Sequence, residues 1–299
     1  MPTKTKGFKL TEDDKKILAY VYQFRAVTIS HLMILTGRKS RRAVSHRLMQ
    51  LVRNYYLFCN ERRFQKYVYT LNNKAVSELV KAGIGSKEAI KKQVRNRKQS
   101  EYFIDHTLMG TDIHLALELA SRVSPIKVAD CRHEDKSLKD KVTIFEDGEQ
   151  ETLPVEPDKF ITLLDTRRPE KNLFPIFWEN DRGTTTDTKR FLRKTGGYNA
   201  FFEQKLHTKK YGVGTIFVLT IALEESHAVK LCDKTRDILP RKSRGFYYFT
   251  SISHFPLDNP AHVHEDILIS PKDPGEGKAF EERKHYSLVP PLVSQSANR

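Results

Sequence analysis

The sequence predicts an α+β protein of two domains, a basic helix-rich one followed by a larger α/β unit built on a mixed sheet. Three observations carry this. The chain has 299 residues, enough for two separate cores. Apolar residues recur at helical spacing through the first third and then fall into strand-like runs interleaved with helices. The charge is also unevenly divided. Residues 1–100 hold 23 Lys and Arg against 6 Asp and Glu, and the remainder holds 29 against 31, so the net excess of +15 lies wholly in the first third. That third calls for a polyanionic partner, because neutralising phosphates releases counterions from nucleic acid. A solvated basic surface or attraction to an anionic membrane is the alternative. No apolar run approaches the roughly 20 residues that span a bilayer. The start, MPTKTKGFKL, lacks the apolar segment of a secretory signal. Cys59, Cys131 and Cys232 are too scattered for a disulfide framework or a CxxC metal site, so a cytoplasmic protein without a membrane partner is expected.

The first domain is expected over residues 8–83. Thr11 is a good N-cap, and Glu12, Asp13 and Asp14 place negative charge where the helix dipole favours it. Ile17, Leu18, Val21 and Phe24 continue that helix. Thr28 or Ser30 caps a short second helix carrying Leu32, Met33 and Leu35, and Gly37 ends it. Residues 38–54, RKSRRAVSHRLMQLVRN, then place Val44, Leu48, Leu51 and Val52 on one stripe and crowd basic and polar residues elsewhere. A short helix, a tight glycine turn and a basic amphipathic helix make a helix-turn-helix, whose second helix enters the major groove N-terminus first. Lys39, Ser40, Arg41, Arg42, Ser45 and His46 are therefore the candidate contacts to bases and nearby phosphates of double-stranded DNA. YYLFCN (55–60) and KYVYTL (66–71) read as a hairpin whose tip, ERRFQ, carries Arg62 and Arg63. A hairpin after a recognition helix is the wing of a winged helix; a winged helix that binds protein instead is the alternative reading. Residues 84–100 form a basic linker, either tracking phosphates or merely solvated.

The second domain is expected over 101–255. An amphipathic helix, 101–122, carries His106, His114 and Glu118, the histidines being assigned structural roles first. Strands follow at 126–133, 141–147, 157–164 and 173–181, then a long helix through 186–208, a buried strand at 214–223, a helix through SHAVKLCDKTRDIL and a last strand, RGFYYFTSIS. Residues 256–299 hold six of the thirteen prolines and read as a loosely packed tail able to wrap the body.

One constellation can carry chemistry. Asp158 opens a strand, and Glu179 and Asp181, two apart, face the same side of the next. Converging carboxylates can hold Mg²⁺, with Glu118 as an outer ligand. The pattern resembles the PD-(D/E)xK nuclease superfamily, which implies a restriction-endonuclease-like domain with Asp158 and Glu179 as metal ligands. Asp181 stands where that family has its lysine, and Lys189 or Lys194 on the next helix is the substitute, making Asp158, Glu179 and Lys194 the candidate catalytic set. Lys189, Arg190, Arg193 and Lys194 form a basic helix face, which either guides DNA toward Glu179 or joins the carboxylates in a structural ion network. Thr184 to Thr186 can cap that helix. His254, His262 and His264 lie near one another without a convincing further ligand. There is no P-loop, GxGxxG fingerprint or nucleophile elbow.

The chain as a whole resembles the plasmid replication-relaxation protein family. LTEDDKKILAYVYQFRAVTISHLMILTG with its basic helix, KYVYTLNNKAVSEL, the helix with His106, PDKFITLL, and FWENDRGT followed by Lys194 and Tyr198 carry the resemblance, over roughly residues 10 to 250. It implies a winged-helix DNA binder of plasmids or other mobile elements with a nuclease-like second domain. Three functions remain open: a non-enzymatic, site-specific DNA-binding regulator, suited to act as a homodimer on two-fold sites; a Mg²⁺-dependent endonuclease or nickase; and a platform for replication or transfer proteins.

Overall fold

The computed structural model describes residues 7–62, 65–133, 138–146, 149–183, 188–275 and 277–290. They form two compact units that divide within one helix, between Leu115 and Ala116. Among the described residues no helix is long and apolar enough to cross a membrane.

The first unit opens with α1 (Glu12–Phe24). Thr11 caps it reciprocally with Asp14, each side chain satisfying the other's backbone N–H. Ile17, Leu18, Val21 and Phe24 form its buried face. Thr28 caps α2 (Ile29–Thr36) in the same way, with the unusual partner His31. Gly37 ends α2 at φ 68°, the left-handed conformation that a side chain disfavours. Ser40 caps α3 (Arg41–Arg53), which buries Val44, Leu48 and Leu51.

β1 (Leu57–Asn60) and β2 (Val68–Leu71) pair antiparallel, Leu57 opposite Leu71. Val27, between α1 and α2, bridges to Tyr69 and adds a third short rung. α4 (Ala75–Lys81) follows. The stretch expected as a linker is folded into this unit: α5 (Lys87–Arg95) buries Ile90 and Val94 and packs on α4 and β2. α6 (Glu101–Val123) then begins, and Thr111 on it donates to the carbonyls of Phe24 and Ala26.

The second unit is built on a five-stranded mixed sheet in the order β3-β6-β7-β8-β9. β3 (Ile126–His133) pairs antiparallel with β6 (Lys159–Asp165), and β6 antiparallel with β7 (Leu173–Asp181), whereas β8 (Phe217–Ala222) and β9 (Tyr247–Ser251) continue parallel to β7. The expected strand 141–147 appears as β4 (Asp140–Glu146), but it leaves the main sheet to pair with β5 (Glu149–Val155). The expected single helix 186–208 is two, α7 (Thr188–Glu203) and α8 (Leu206–Tyr211), separated at Lys205 by a left-handed φ of 54°. Thr184 to Thr186, expected to cap it, lie outside the described residues. α9 (Glu225–Ile238) joins β8 to β9.

Phe160, Phe177, Val218, Tyr247 and Phe249 of the sheet pack against Tyr198 and Phe201 of α7 and Leu231 and Cys232 of α9, with Leu153 and Val155 of the hairpin joining the same core. α7 approaches β5 so closely that a Cβ on Gly197 would lie 2.7 Å from the Pro154 carbonyl oxygen. The described residues of the tail pack onto the body of the second unit. Ile267, Leu268, Ile269, Phe280 and Leu288 are buried, Ile269 bridges to Phe249, and Arg283 grips Asp233 with two bonds of 2.9 and 2.8 Å.

The orientation of α3 on α1 rests on a buried ion pair. Asp14 is 1% exposed and accepts from Arg47 Nε at 2.7 Å as well as from its Nη2. Burial opposes the charge of Asp14, but hydrogen bonds from Arg47 and Thr11 more than offset it and hold the carboxyl below its ordinary value. The stability this confers is present above the unfolded value near 4 and is lost as pH falls through the lower folded value. Asp14→Asn is expected to cost about 3 kcal/mol in urea unfolding at pH 7, with the gap to wild type closing in acid.

Candidate nucleic-acid interface and carboxylate site

α3 separates its cations by role. Arg47 is consumed by Asp14, by Gln50 Oε1 at 2.6 Å and by the Lys9 carbonyl at 3.0 Å. Arg38 pairs with Asp13 at 2.7 Å. The opposite face is left to solvent: Lys39, Ser40, Arg41, Arg42 and His46 are exposed and Ser45 is half-buried. Ser40 also has a structural task, its Oγ accepting from the Ala43 N–H at 3.3 Å. Arg41 and Arg42 occupy the first turn of α3, directly after the Gly37 turn.

The expected basic hairpin tip is corrected in part. Arg62 does not extend to solvent. Its side chain is 5% exposed and its Nη2 lies 2.6 Å from Asp105 Oδ1 on α6. An arginine so placed holds the hairpin to α6 rather than gripping phosphate. Arg63 lies outside the described residues. Exposed Lys66 is a cation that the reading of the sequence did not single out. It shares a cleft of about 630 Å³ with Thr28, His31, Arg41, Arg62 and Asp112. In that cleft His31 Nδ1 accepts from the Thr28 N–H at 3.2 Å, so its Nε2 carries the proton toward Asp112 Oδ1, 2.7 Å away. His114 is buried against the Phe24 ring, centroids 4.7 Å apart.

In the second unit the alternation of β7 turns Phe177, Glu179 and Asp181 toward the helices and Trp178 and Asn180 the other way. Asp158 stands just before β6 and accepts from the Asn180 N–H at 2.9 Å. Lys194 of α7 donates Nζ to Glu179 Oε2, and Tyr198, one turn on, donates its hydroxyl to Oε1. Asp158, Glu179 and Lys194 thus share one corner. Burial pushes the Glu179 carboxyl up to about 7, with Lys194 pulling against it and Asp158 adding to it. Burial likewise opposes the Lys194 ammonium, but Glu179 and Asp158 more than offset it and hold its pKa above the ordinary value. Tyr198 is driven well above its usual range by burial and by Glu179, so it stays protonated.

Glu118 does not join this corner. Its charge bears on Cys131, whose register partner Ile161 shares the Lys159 and Trp178 face of the sheet, away from Glu179. Asp181, standing where a nuclease of the resembled type has its lysine, accepts from the Gly183 N–H at 2.7 Å and faces His227 Nε2 at 3.0 Å. Arg193 reaches Glu151 at 2.7 Å, and Lys189 and Arg190 are exposed on α7. Mg²⁺ asks for an octahedron of oxygens. The corner offers two carboxylates, one engaged at both oxygens and the other accepting a backbone N–H. Among the described residues no group of three His, Cys, Asp or Glu side chains could hold a metal ion. In this arrangement the residues do not fit Mg²⁺; the Lys194 ammonium supplies the positive charge instead.

The sequence profile of the family described as Replication-relaxation matches residues 18–216, well over half of the chain. No curated protein and no solved structure matches it.

Removing the ammonium exposes the cost of the buried carboxylate. In wild type the raised Glu179 pKa lowers stability as pH rises from its ordinary 4.5 toward 7. Without Lys194 that pKa climbs further, and the loss continues to higher pH. Lys194→Ala is therefore expected to destabilise by about 3–5 kcal/mol at pH 8 and by distinctly less at pH 5, read from denaturant midpoints at the two pH values.

Proposed function

The chain belongs to the replication-relaxation family, and from that premise we propose that it is a site-specific double-stranded DNA-binding protein of a plasmid or other mobile element. Its task is to regulate that element's transcription, replication or transfer. The observation that carries this reading is the solvent face of α3 and the turn before it, where Lys39, Arg41, Arg42 and His46 are exposed while Arg47 is withheld for the core. α1 to α3 with the β1–β2 hairpin and the Val27–Tyr69 rung support a winged helix-turn-helix. In that geometry the N-terminal turn of a recognition helix meets base edges, and flanking cations position the protein on phosphates. A homodimer on a two-fold site suits such a domain. The second unit serves in this reading as a frame whose surfaces recruit replication or transfer proteins.

Binding to duplexes from the element's own intergenic DNA, in competition with random duplex at about 0.15 M salt, tests the proposal. The expected result is a clear preference, with Arg41→Ala and Arg42→Ala each losing about 1–3 kcal/mol of specific binding. Equal affinity for both duplexes rejects site-specific recognition.

One observation favours a second reading, a PD-(D/E)xK-type endonuclease or nickase. Lys194 reaches Glu179 from α7, beside Asp158, much as a relocated catalytic lysine does. The locked oxygens of Glu179 weigh against it. Supercoiled plasmid bearing the recognised site is expected to stay intact with Mg²⁺ or Mn²⁺. Nicking by wild type that Asp158→Ala abolishes establishes the nuclease instead.

A further inference from the structure

The first unit carries a second group of cations, apart from those of α3. Residues 87–98, KEAIKKQVRNRK, hold six Lys and Arg against one carboxylate, Glu88. α5 turns Ile90 and Val94 inward, which fixes its rotation against α4 and β2. Lys87, Lys91 and Arg95 follow at four-residue steps, so they line one side of the helix, and all three are exposed. Elsewhere in the unit Glu12, Asp13, Asp14, Glu78 and Asp105 each meet a lysine or arginine outside this stretch.

Beside α5 lies a cleft of about 370 Å³, lined by Asn73, Val76, Lys91, Val94, Arg95 and Arg97. No carboxylate is among these lining residues. Arg97 is held in place there. Its Nη1 donates to the Val94 carbonyl at 2.7 Å, and its guanidinium carbon lies 5.9 Å from the centroid of the Phe58 ring. A planar guanidinium fixed in this way loses little further freedom on meeting an anion. The Asn73 amide adds a neutral donor. Three cations and an amide around one concave surface call for negative charge from outside.

The spacing favours a strand of phosphates over a single anion. Successive cations along the helix stand about 6 Å apart, close to the separation of neighbouring phosphates on one nucleic-acid strand. An anionic membrane also attracts cations, but an amphipathic helix lies on lipid by its apolar face. The apolar face of α5 is spent on α4 and β2. We propose that α5 and its cleft form a second phosphate-binding surface for duplex DNA, with Lys91, Arg95 and Arg97 holding the sugar–phosphate backbone. Such contacts add affinity and fix orientation without reading sequence. The inference rests on the reading of the first unit as a duplex binder and adds to it a surface separate from the solvent face of α3.

The test is the affinity of the full-length protein for one duplex of the element's intergenic DNA and one random duplex, each across a range of salt. Wild type is compared with Lys91→Ala/Arg95→Ala, both exposed positions, with folding checked by circular dichroism. The double variant is expected to lose about tenfold or more on both duplexes alike, with the slope of log K against log salt shallower by about 2. Each single variant accounts for about half of that change. Unchanged affinity and slope in the double variant, while Arg41→Ala/Arg42→Ala still weakens binding, overturns this inference and leaves the α3 reading intact. A wild type without sequence preference whose slope still falls on losing Lys91 and Arg95 supports it and rejects only site-specific recognition. A loss confined to the intergenic duplex assigns the two cations to base readout and overturns it. So does saturable uptake of inorganic phosphate, or binding to phosphatidylserine vesicles, that the double variant loses while its duplex binding is unchanged.

Discussion

The buried contact between Arg47 and Asp14 decides which side of α3 packs on the protein and which is left to solvent. Desolvating a carboxylate is costly unless a cation meets it, so this one arginine is bound inward, and the stripe of Val44, Leu48 and Leu51 is held down with it. The helix is then fixed in rotation. The remaining cations of its first turn, Arg41 and Arg42, are exposed directly after the Gly37 turn. The same Asp14 closes the capping box of α1 with Thr11, so one carboxylate ties helix start and helix packing together.

The second unit solves a related problem with the opposite outcome. Alternation along β7 aims Glu179 into a closed corner beside Asp158, where two carboxylates demand positive charge. A divalent cation is one way to meet such a demand. Here the ammonium of Lys194 meets it, and the Tyr198 hydroxyl takes the remaining oxygen of Glu179. Both oxygens of Glu179 are thereby held by the chain's own side chains.

Local signals were legible where their physics is local. Thr11 with the following acids marks α1, Gly37 marks the turn, and the stripe in residues 38–54 marks α3, because caps, left-handed glycine and helical periodicity act within a few residues. What escaped was set by distant partners. The direction of Arg62 depends on Asp105 in another helix, 43 positions away, so the hairpin was readable but the inward turn of its arginine was not. β5 begins Glu-Gln-Glu and has a strand only because β4 pairs with it and the core takes Leu153 and Val155. The break at Lys205 falls on a residue that gives no warning of positive φ. Lys194 and Tyr198 stand four apart on one helix face, a spacing visible in the sequence, yet their joint claim on Glu179 needed the fold. Proline content suggested a loose tail because composition does not report the pairing of Ile269 with Phe249 or the grip of Arg283 on Asp233.

The central claim, that the outward cations of α3 meet a DNA duplex, is tested most directly by the salt dependence of binding. Affinity for one duplex is measured across a range of salt for wild type and for the Arg41→Ala/Arg42→Ala double variant. If both arginines meet phosphates, the slope of log K against log salt becomes shallower by about 2; if they meet base edges, the slope holds and affinity falls on the preferred sequence. Identical slopes and identical affinities for the two proteins would contradict the account.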